Sequence, residues 1–374
     1  MAAVQTKPLF GVGKSMQKKL MALVVASAIS GGAFAQSNVT ISGQIRMSVD
    51  QYKLSDLPAG FTASTESRVN DESSRLFIKG KEELGGGSYA SFQIENRFSP
   101  DLGAFTAGGN TNVTLGGSWG ALAVGRQDLH YGTALESYLA FTNQNFLGNG
   151  PLSQVNGTVI ALTSRTANAV WYDSPNLSGF TVRVAGSTAF AGAEGTGLRA
   201  AGAADPGKGG ATNLAVNYAN GPIKAGYSYW KATVEGGKTA LVGDQRGDTL
   251  QFGYSFPMGV KVGIAWNKSK LGFTTGERSR TAWLLPISYD FGSNRVNFTY
   301  LSAGDTTGVA NSGAKAYTLA FGHALSKRTN VGINYSKLTN DRAATYNLFG
   351  GGTSTATVPG ADVSQLALTV YHSF

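Results

Sequence analysis

The fold is decided by the stretch NVTISGQIRMSVD, at residues 38–50. Its apolar side chains occupy alternate positions: Val39, Ile41, Ile45, Met47 and Val49. The positions between them are polar: Thr40, Ser42, Gln44, Arg46, Ser48 and Asp50. A period of two is typical of a β-strand with one apolar face and one polar face. The polar face contains ionic side chains and is too polar for a protein core, so the two faces are expected to lie in different surroundings.

The same alternation recurs down the chain, and its segments are joined by two kinds of connection. The short ones contain Gly, Pro, Asn and Ser, which favour hairpin turns. They are Glu82–Gly87, Gly117–Gly120, Ser174–Gly179, Asn220–Pro222, Pro257–Gly259, Phe291–Asn294 and Ser326–Thr329. The long ones are Tyr52–Asp71, Ser99–Asn110, Gln127–Leu162, Ser187–Gly210, Ala232–Gly247, Ser269–Glu277, Ala303–Ser312 and Thr339–Val363. Fifteen connections predict sixteen strands.

Alternation alone also fits a soluble β-sandwich, but two features favour a membrane barrel. Short turns alternate with long loops along the chain, as at the two ends of an outer-membrane barrel. Aromatic residues near the strand ends match the interfacial girdles of such a barrel. These aromatics are Tyr218, Tyr227, Tyr229, Tyr254, Phe256, Trp266, Tyr289, Phe291, Phe298, Tyr300, Phe321 and Tyr335. In lipid every backbone polar group needs an internal partner, so the sheet has to close. Sixteen strands then leave an aqueous interior.

The N-terminus has the pattern of an export signal. Lys18 and Lys19 precede the apolar run Leu20–Ala28, and Ala33-Phe34-Ala35 follows as a small-residue cleavage site. The run is too short to span a membrane as a helix, which needs ~20 residues. We therefore expect residues 1–35 to be a signal peptide and 36–374 to be a single barrel domain. Translation starting at Met16 would give the same mature protein.

Composition argues against several classes of function. The leader contains four lysines and no acid, so its removal lowers the net charge from +9 to +5, which is weak support for nucleic-acid binding. The chain has no cysteine, which excludes disulfides and thiolate metal sites. Its three histidines, His130, His323 and His372, form no convergent set with a nucleophile and an acid. We expect no enzymatic activity and no cofactor.

Several short motifs, in order along the chain, resemble the Gram-negative trimeric porins, in particular the general porins of β-proteobacteria. They are SRLFIKG at 74–80 with EELGGG at 82–87, LAVGRQ at 122–127, RTANAVWYDSP at 165–175 with LSGF at 177–180, ALSKRT at 324–329 and YHSF at 371–374. Each motif is weak alone, but together and in order they are strong, and the resemblance runs along essentially the whole mature chain.

The resemblance implies a sixteen-stranded antiparallel transmembrane barrel with an infolded third loop, assembled as a homotrimer in the outer membrane. Such a channel lets small hydrophilic solutes and ions diffuse passively. A C-terminal aromatic residue, here Phe374, is what the barrel-assembly machinery reads in this family. Two alternatives stay open: a substrate-specific channel with a binding track, and an enzyme housed on a barrel.

Arginines are the candidate selectivity residues. Alternation points Arg46, Arg75 and Arg183 toward the interior, where Arg46 and Arg183 could equally serve only to solvate the lumen. The resemblance places Arg75, Arg126 and Arg165 at a pore constriction, on the wall that faces the third loop. The acids of that loop are Asp128 and Glu136. Because rings of Arg or Lys favour anions, the sequence predicts an anion-preferring pore.

Overall fold

The structure is a computed structural model that describes residues 38–63, 65–129, 154–155, 158–159, 166–190, 209–234, 243–348 and 358–374. The expected signal peptide lies outside these residues. No helix among the described residues is long and apolar enough to cross a membrane.

The described secondary structure consists of β-strands. In chain order they are β1 (Asn38–Ser55), β2 (Thr65–Asp71), β3 (Arg75–Gly85), β4 (Ser88–Ser99), β5 (Ala104–Gly108), β6 (Thr111–Gly117), β7 (Gly120–Gln127), β8 (Gln154–Val155), β9 (Thr158–Val159), β10 (Thr166–Asp173), β11 (Phe180–Ser187), β12 (Ala211–Asn220), β13 (Ile223–Ala232), β14 (Asp244–Ser255), β15 (Val260–Phe273), β16 (Gly276–Phe291), β17 (Asn294–Ala303), β18 (Ala314–Ala324), β19 (Thr329–Asn340) and β20 (Asp362–Ser373).

Eighteen of these strands form one antiparallel sheet, and β8 with β9 forms a separate pair. The sheet closes because β1 pairs with β20 on one side and with β2 and β3 on the other. β2 and β3 are the two halves of one barrel strand, and β5 and β6 are the halves of another, since both lie along β4. The result is a closed barrel of sixteen strands, which confirms the number predicted from the sequence.

Each divided strand has a local cause. Between β2 and β3, the Asp71 carboxylate accepts hydrogen bonds from the backbone N–H groups of Ser73 and Ser74, at 3.1 and 2.8 Å. Between β5 and β6, the Glu95 side chain occupies the space beside Gly109, so that a Cβ there would lie 2.2 Å from it. There the Glu95 carboxylate also accepts a hydrogen bond from the backbone N–H of Asn110 at 3.0 Å, so a polar side chain binds the backbone at each break.

The two faces of β1 differ as the alternation predicts. Ser48 and Asp50 are each 2% exposed and point inward, whereas Val49 between them is 59% exposed on the outer surface. Cross-strand pairing extends this division around the barrel, because residues directly opposite each other share a face. The predicted aromatics that lie in strands are all on the outer face, as are His323 and His372.

The seven short turns lie where the sequence places them, but several long loops are shorter than predicted. β1 continues to Ser55 and β2 begins at Thr65, so the first external connection is shorter than the predicted Tyr52–Asp71. The predicted loop Ser99–Asn110 contains β5, and Ser269–Glu277 is mostly paired strand. The barrel wall therefore extends beyond the region where alternation is clear.

Candidate pore lining and constriction

The inner face of β1–β4 contains four arginines, Arg46, Arg68, Arg75 and Arg97, which we call the basic wall. Arg75 lies opposite Gln44 of β1 and opposite Arg97 of β4. Like charges directly opposite each other repel, and a buried carboxylate lowers that cost. Glu95 is 2% exposed, and its Oε1 lies 3.6 Å from Arg75 Nη1 and 3.7 Å from Arg97 Nε.

Arg68 is held on the basic wall by a bidentate ion pair. Its Nε and Nη2 donate to the two carboxylate oxygens of Asp50, each at 2.9 Å. Asp50 also accepts hydrogen bonds from Asn70, at 2.8 Å, and from Gln365 of the closing strand. The guanidinium lies over the ring of Tyr52, 4.2 Å from its centroid. A fork of this kind fixes the orientation of the arginine as well as its charge.

Arg46 and Arg183 both point inward, as predicted, but on different walls. Arg46 is 8% exposed, donates to Gln44 Oε1 at 3.2 Å and stacks 4.8 Å from the ring centroid of Tyr371. Arg183, on β11, makes a bidentate pair with Asp173 at 2.6 and 2.9 Å. Arg46 therefore belongs with Arg75, whereas most of the charge of Arg183 is neutralised locally.

Arg126 is placed differently from the prediction. It lies opposite Thr111 on the face of β7 shared by Leu122 and Val124, whereas the next residue, Gln127, interacts with the inward-facing Asn112. Its guanidinium lies near Gly108, also on the outer side. The register thus directs Arg126 outward and separates it from Arg75. Arg165 and Glu136 lie outside the described residues.

The third loop enters the lumen at its first residues. Asp128 accepts a hydrogen bond from Asn110 Nδ2 at 3.2 Å, and its carbonyl accepts one from Arg183 at 3.4 Å. Leu129, 2% exposed, packs on the inner wall with Trp171 and Trp230. Further along the loop, the backbone of β8 approaches β15 and β16, nearly opposite β7 in the barrel. The described parts of this loop therefore lie near two opposite sides of the barrel.

The described start of the last external connection, residues 341–348, also folds inward, which the sequence did not indicate. Ala344, Tyr346 and Leu348 are buried against inner-wall side chains of β15–β20. Tyr346 is 0% exposed and accepts a hydrogen bond from Arg280 Nη1 at 3.2 Å, while Tyr52 donates to Asn347 at 3.0 Å. Asn340 fixes the segment by donating to the Tyr346 carbonyl at 2.9 Å and accepting from its N–H at 3.0 Å. This segment occupies part of the lumen.

Basic side chains outnumber acids on the inner face. Cross-strand pairing directs these twelve into the lumen: Arg46, Arg68, Arg75, Lys79, Lys81, Arg97, Arg183, Lys224, Lys261, Arg278, Arg280 and Arg295. The described inward-facing acids of the barrel wall are Asp50, Glu66, Glu72, Glu83, Glu95, Asp173 and Asp290.

Two arginines of the basic wall are not among the residues that the sequence analysis predicts for the lumen. Sequence reasoning missed Arg97, although its alternation with Gln93 and Glu95 identifies it as inward-facing. It missed Arg68 because that residue was assigned to a loop.

A closed barrel with an apolar outer face, aromatics on that face and a charged, hydrated interior defines a pore-forming protein of the outer membrane. Among the described residues there is no group of acids and histidines that could hold a metal ion.

Comparison with known proteins agrees with this class. A model of the Gram-negative porin family matches residues 22–343. Outer membrane porin protein 32 of Delftia acidovorans is 29% identical over 350 residues, covering 89% of this chain and 92% of that protein. A porin of Bordetella pertussis is 26% identical over 303 residues, covering 75% and 77%. The chain belongs to the Gram-negative porin family and is an outer-membrane channel protein.

Solved structures show the same fold. An anion-selective porin from Comamonas acidovorans superposes with a TM-score of 0.75 at 23% identity, covering 91% of this chain and all 100% of that chain. OmpT of Vibrio cholerae, in a trimer form, gives a TM-score of 0.60 at 14% identity over 90% of this chain and 99% of its own.

Proposed function

We propose that this porin is a passive diffusion channel that prefers anions and has no enzymatic activity and no cofactor. The observation that supports the preference is the excess of basic over acidic side chains on the inner face of the described strands. Low-dielectric walls focus the field of such charges and raise the local concentration of counter-ions. The anion selectivity stated for the porin from Comamonas acidovorans is consistent with this proposal.

The proposed constriction lies between the basic wall and the third loop. Arg75 and Arg97 supply the wall's charge at this level, and Arg165 is proposed to join them. Asp128 and Glu136 are the proposed acids of the loop side. Arginine stays charged at physiological pH, so the field of the basic wall does not depend on titration. Arg126 is left out, because it faces away from the lumen.

The double variant Arg75→Gln/Arg97→Gln is expected to lower the chloride-over-potassium permeability ratio. Two charges ~7 Å from a passing chloride each contribute about 0.6 kcal/mol in water-like dielectric, ~1.2 kcal/mol together, so the ratio should fall by about sevenfold at low salt. Reversal potentials across planar bilayers in a salt gradient measure the ratio, and the shift should shrink as salt rises because screening increases. Arg126→Gln is the matched control and should leave the ratio unchanged. A wild-type channel that prefers potassium would refute the proposal.

A substrate-specific channel is the second candidate, and the infolded last connection favours it by narrowing the lumen. Conductance separates the two functions. A diffusion pore conducts in proportion to solute concentration, whereas a pore with a binding track saturates at low concentration.

The assembly is proposed to be a homotrimer, as in the trimer form of OmpT. The outer faces of the first strands present an exposed apolar surface that a neighbouring barrel could cover, with Val39 60%, Ile41 67%, Val49 59% and Val69 59% exposed. Light scattering on detergent-solubilised, unheated protein should give the mass of three chains. A monomer mass would contradict the proposal.

Export is proposed to remove residues 1–35. Intact-mass spectrometry of protein from the outer membrane should then give a chain that begins at Gln36. A mass that retains Met16 or Met1 would show that the Ala33-Phe34-Ala35 site is not used.

A further inference from the structure

A cavity in the inner wall lies between the basic wall and the short-turn end of the barrel. Its volume is about 400 Å³, and we call it the lower pocket. Six of the polar side chains that line it, all facing the lumen, are Asn38, Thr40, Lys79, Lys81, Ser91 and Gln93. Lys79 is four residues beyond Arg75 on β3, so at about 3.3 Å per residue it lies ~13 Å farther toward the short-turn end. The lower pocket is therefore separate from the proposed constriction.

Lys79 supplies the uncompensated charge of the lower pocket. It lies directly opposite Thr40 of β1 and Gln93 of β4, and it makes no ion pair with any residue that the structure describes. Lys81, two residues farther along β3, pairs with Glu83 at 2.6 Å. The net charge of the pocket is thus close to +1, which suits a solute with a single negative charge.

Aromatic rings position both lysine side chains. The Lys79 ammonium lies 4.8 Å from the ring centroid of Phe77, and the Lys81 ammonium lies 4.5 Å from the ring centroid of Tyr89. An ammonium group is attracted to the face of an aromatic ring. Both rings share the inner face with the lysines. A solute in the pocket therefore meets positioned charge next to an apolar surface, the combination typical of small-molecule sites.

Uncharged polar groups surround the Lys79 ammonium. The side chains of Asn38, Thr40 and Ser91 form no hydrogen bond within the part of the chain that the structure describes. Gln93 is held in place by donating to the Asn110 carbonyl at 3.3 Å. Hydroxyl and carboxamide groups can both donate and accept hydrogen bonds. They match the hydroxyl groups of a solute, whereas a simple anion would use the ammonium alone.

A lysine on the facing wall has a different environment. Lys261 of β15 is also near the short-turn end, and its ammonium donates to Asp290 at 2.6 Å. Asp290 pairs with Arg295 as well. Most of the charge of Lys261 is thus neutralised locally. Lys79 has a cavity and free hydroxyl groups beside it instead of an acid, which is what a site for an anionic solute requires.

We propose that the lower pocket binds a sugar acid, with Lys79 on its carboxylate and with Asn38, Thr40 and Ser91 on its hydroxyl groups. Hydrogen bonds between an ammonium and a carboxylate are charge-assisted and strong. A phosphate monoester carries about −1.5 to −2 at pH 7, more than the pocket compensates, and a neutral sugar leaves Lys79 without a counter-charge. The inference deepens the proposed function by naming a class of solute, and it rests on that function in requiring that solutes enter the lumen.

The test is block of the potassium chloride current by gluconate, measured on single channels in planar bilayers. Gluconate should halve the wild-type current at a concentration at least tenfold below that of acetate, which has the same charge but no hydroxyl groups. Lys79→Gln should raise the half-blocking concentration of gluconate about tenfold, a loss equivalent to about 1.4 kcal/mol. The matched control Lys261→Gln also removes one lumen charge near the same end and should keep the wild-type value.

A second variant tests the hydroxyl contacts without changing the charge. Thr40→Val/Ser91→Ala should raise the half-blocking concentration of gluconate about fivefold and leave that of acetate unchanged. Glucose, which has the hydroxyl groups but no charge, should leave the current unchanged at the concentration where gluconate halves it. Unheated gel mobility should be that of the wild type for every variant, which separates loss of the site from loss of the fold.

Three outcomes would overturn the proposal. They are equal block by gluconate and acetate, equal losses in Lys79→Gln and Lys261→Gln, and wild-type block of Thr40→Val/Ser91→Ala by gluconate. Failure of the proposed anion preference has a different signature. It would appear as a reversal potential that favours potassium, and the contrast between gluconate and acetate would persist.

Discussion

Replacing Tyr346 with alanine is expected to release the last external connection from the lumen and to widen the pore. The Tyr346 ring is fully buried on the inner wall, and its hydroxyl is held by Arg280. Truncating a buried aromatic side chain costs about 3–5 kcal/mol. Each 1.4 kcal/mol changes an equilibrium tenfold, so the undocked population should rise by at least about two orders of magnitude.

Single-channel conductance is the direct measurement of this release. Tyr346→Ala should shift the conductance histogram to larger steps, and external protease should cut the connection faster. Phe61→Ala is the control, because Phe61 is an aromatic of the first external connection that is already 55% exposed. If Tyr346→Ala conducts as the wild type does while its connection becomes protease-sensitive, the docked segment does not limit the pore.

The sequence predicted the strands well where lipid constrains them. Between the two interfaces, an outward position has to be apolar, so Val39, Ile41 and Val49 alternate visibly with their polar neighbours. This physical constraint is local, and it also identifies the strand count and the short turns. The inward direction of Arg46, Arg75 and Arg183 follows from the same alternation, and pairing in the structure confirms it.

Outside the membrane, lipid no longer requires outward side chains to be apolar. The alternation is lost there, and for this reason the sequence does not predict the external ends of the strands. Outward positions at the external ends are polar or charged, as at Arg246, Lys268 and Lys270, so both faces of the strand are hydrophilic. A two-sided polar strand does not differ from a loop by periodicity. Alternation therefore predicts loops at Ala232–Gly247 and Ser269–Glu277, although Asp244–Gly247 of the first and most of the second are paired strand.

Contacts between residues that are distant in the chain could not be predicted from the sequence. Nothing local shows that Tyr346 docks against Arg280, 66 residues away. The predicted place of Arg126 at the constriction comes from the resemblance and not from alternation. Counting in steps of two from Val124 would have placed it outward, as the structure does. The predicted roles of Arg165 and Glu136 stay predictions.

Deleting Phe374 is expected to reduce the assembled barrel far more than it alters the pore. Phe374 and Gly43 exchange backbone hydrogen bonds, both at 3.1 Å, at the seam where the last strand meets the first. The Phe374 ring lies across Gly43, where a Cβ would be 2.5 Å from the ring and 2.6 Å from the Arg75 carbonyl oxygen. A side chain at position 43 should therefore disturb the same seam, and overpacking of this kind costs about 1–3 kcal/mol.

Both Gly43→Val and the Phe374 deletion should lower the folded fraction in the outer membrane, through a change of about tenfold in the ratio of folded to unfolded protein, which ~1.4 kcal/mol produces at equilibrium. Unheated gel mobility measures this fraction, and conductance of the surviving channels should match the wild type because both residues lie on the outer face. Gly186→Val is the control for the glycine, since Gly186 also faces outward but its nearest neighbour is 3.8 Å away. Phe374→Tyr controls for the aromatic ring. Wild-type levels of folded protein from the Phe374 deletion would show that the seam closes without its last residue. Equal losses of folded protein from Gly43→Val and Gly186→Val would show that a larger outward side chain destabilises the barrel at either glycine, independently of the contact with Phe374.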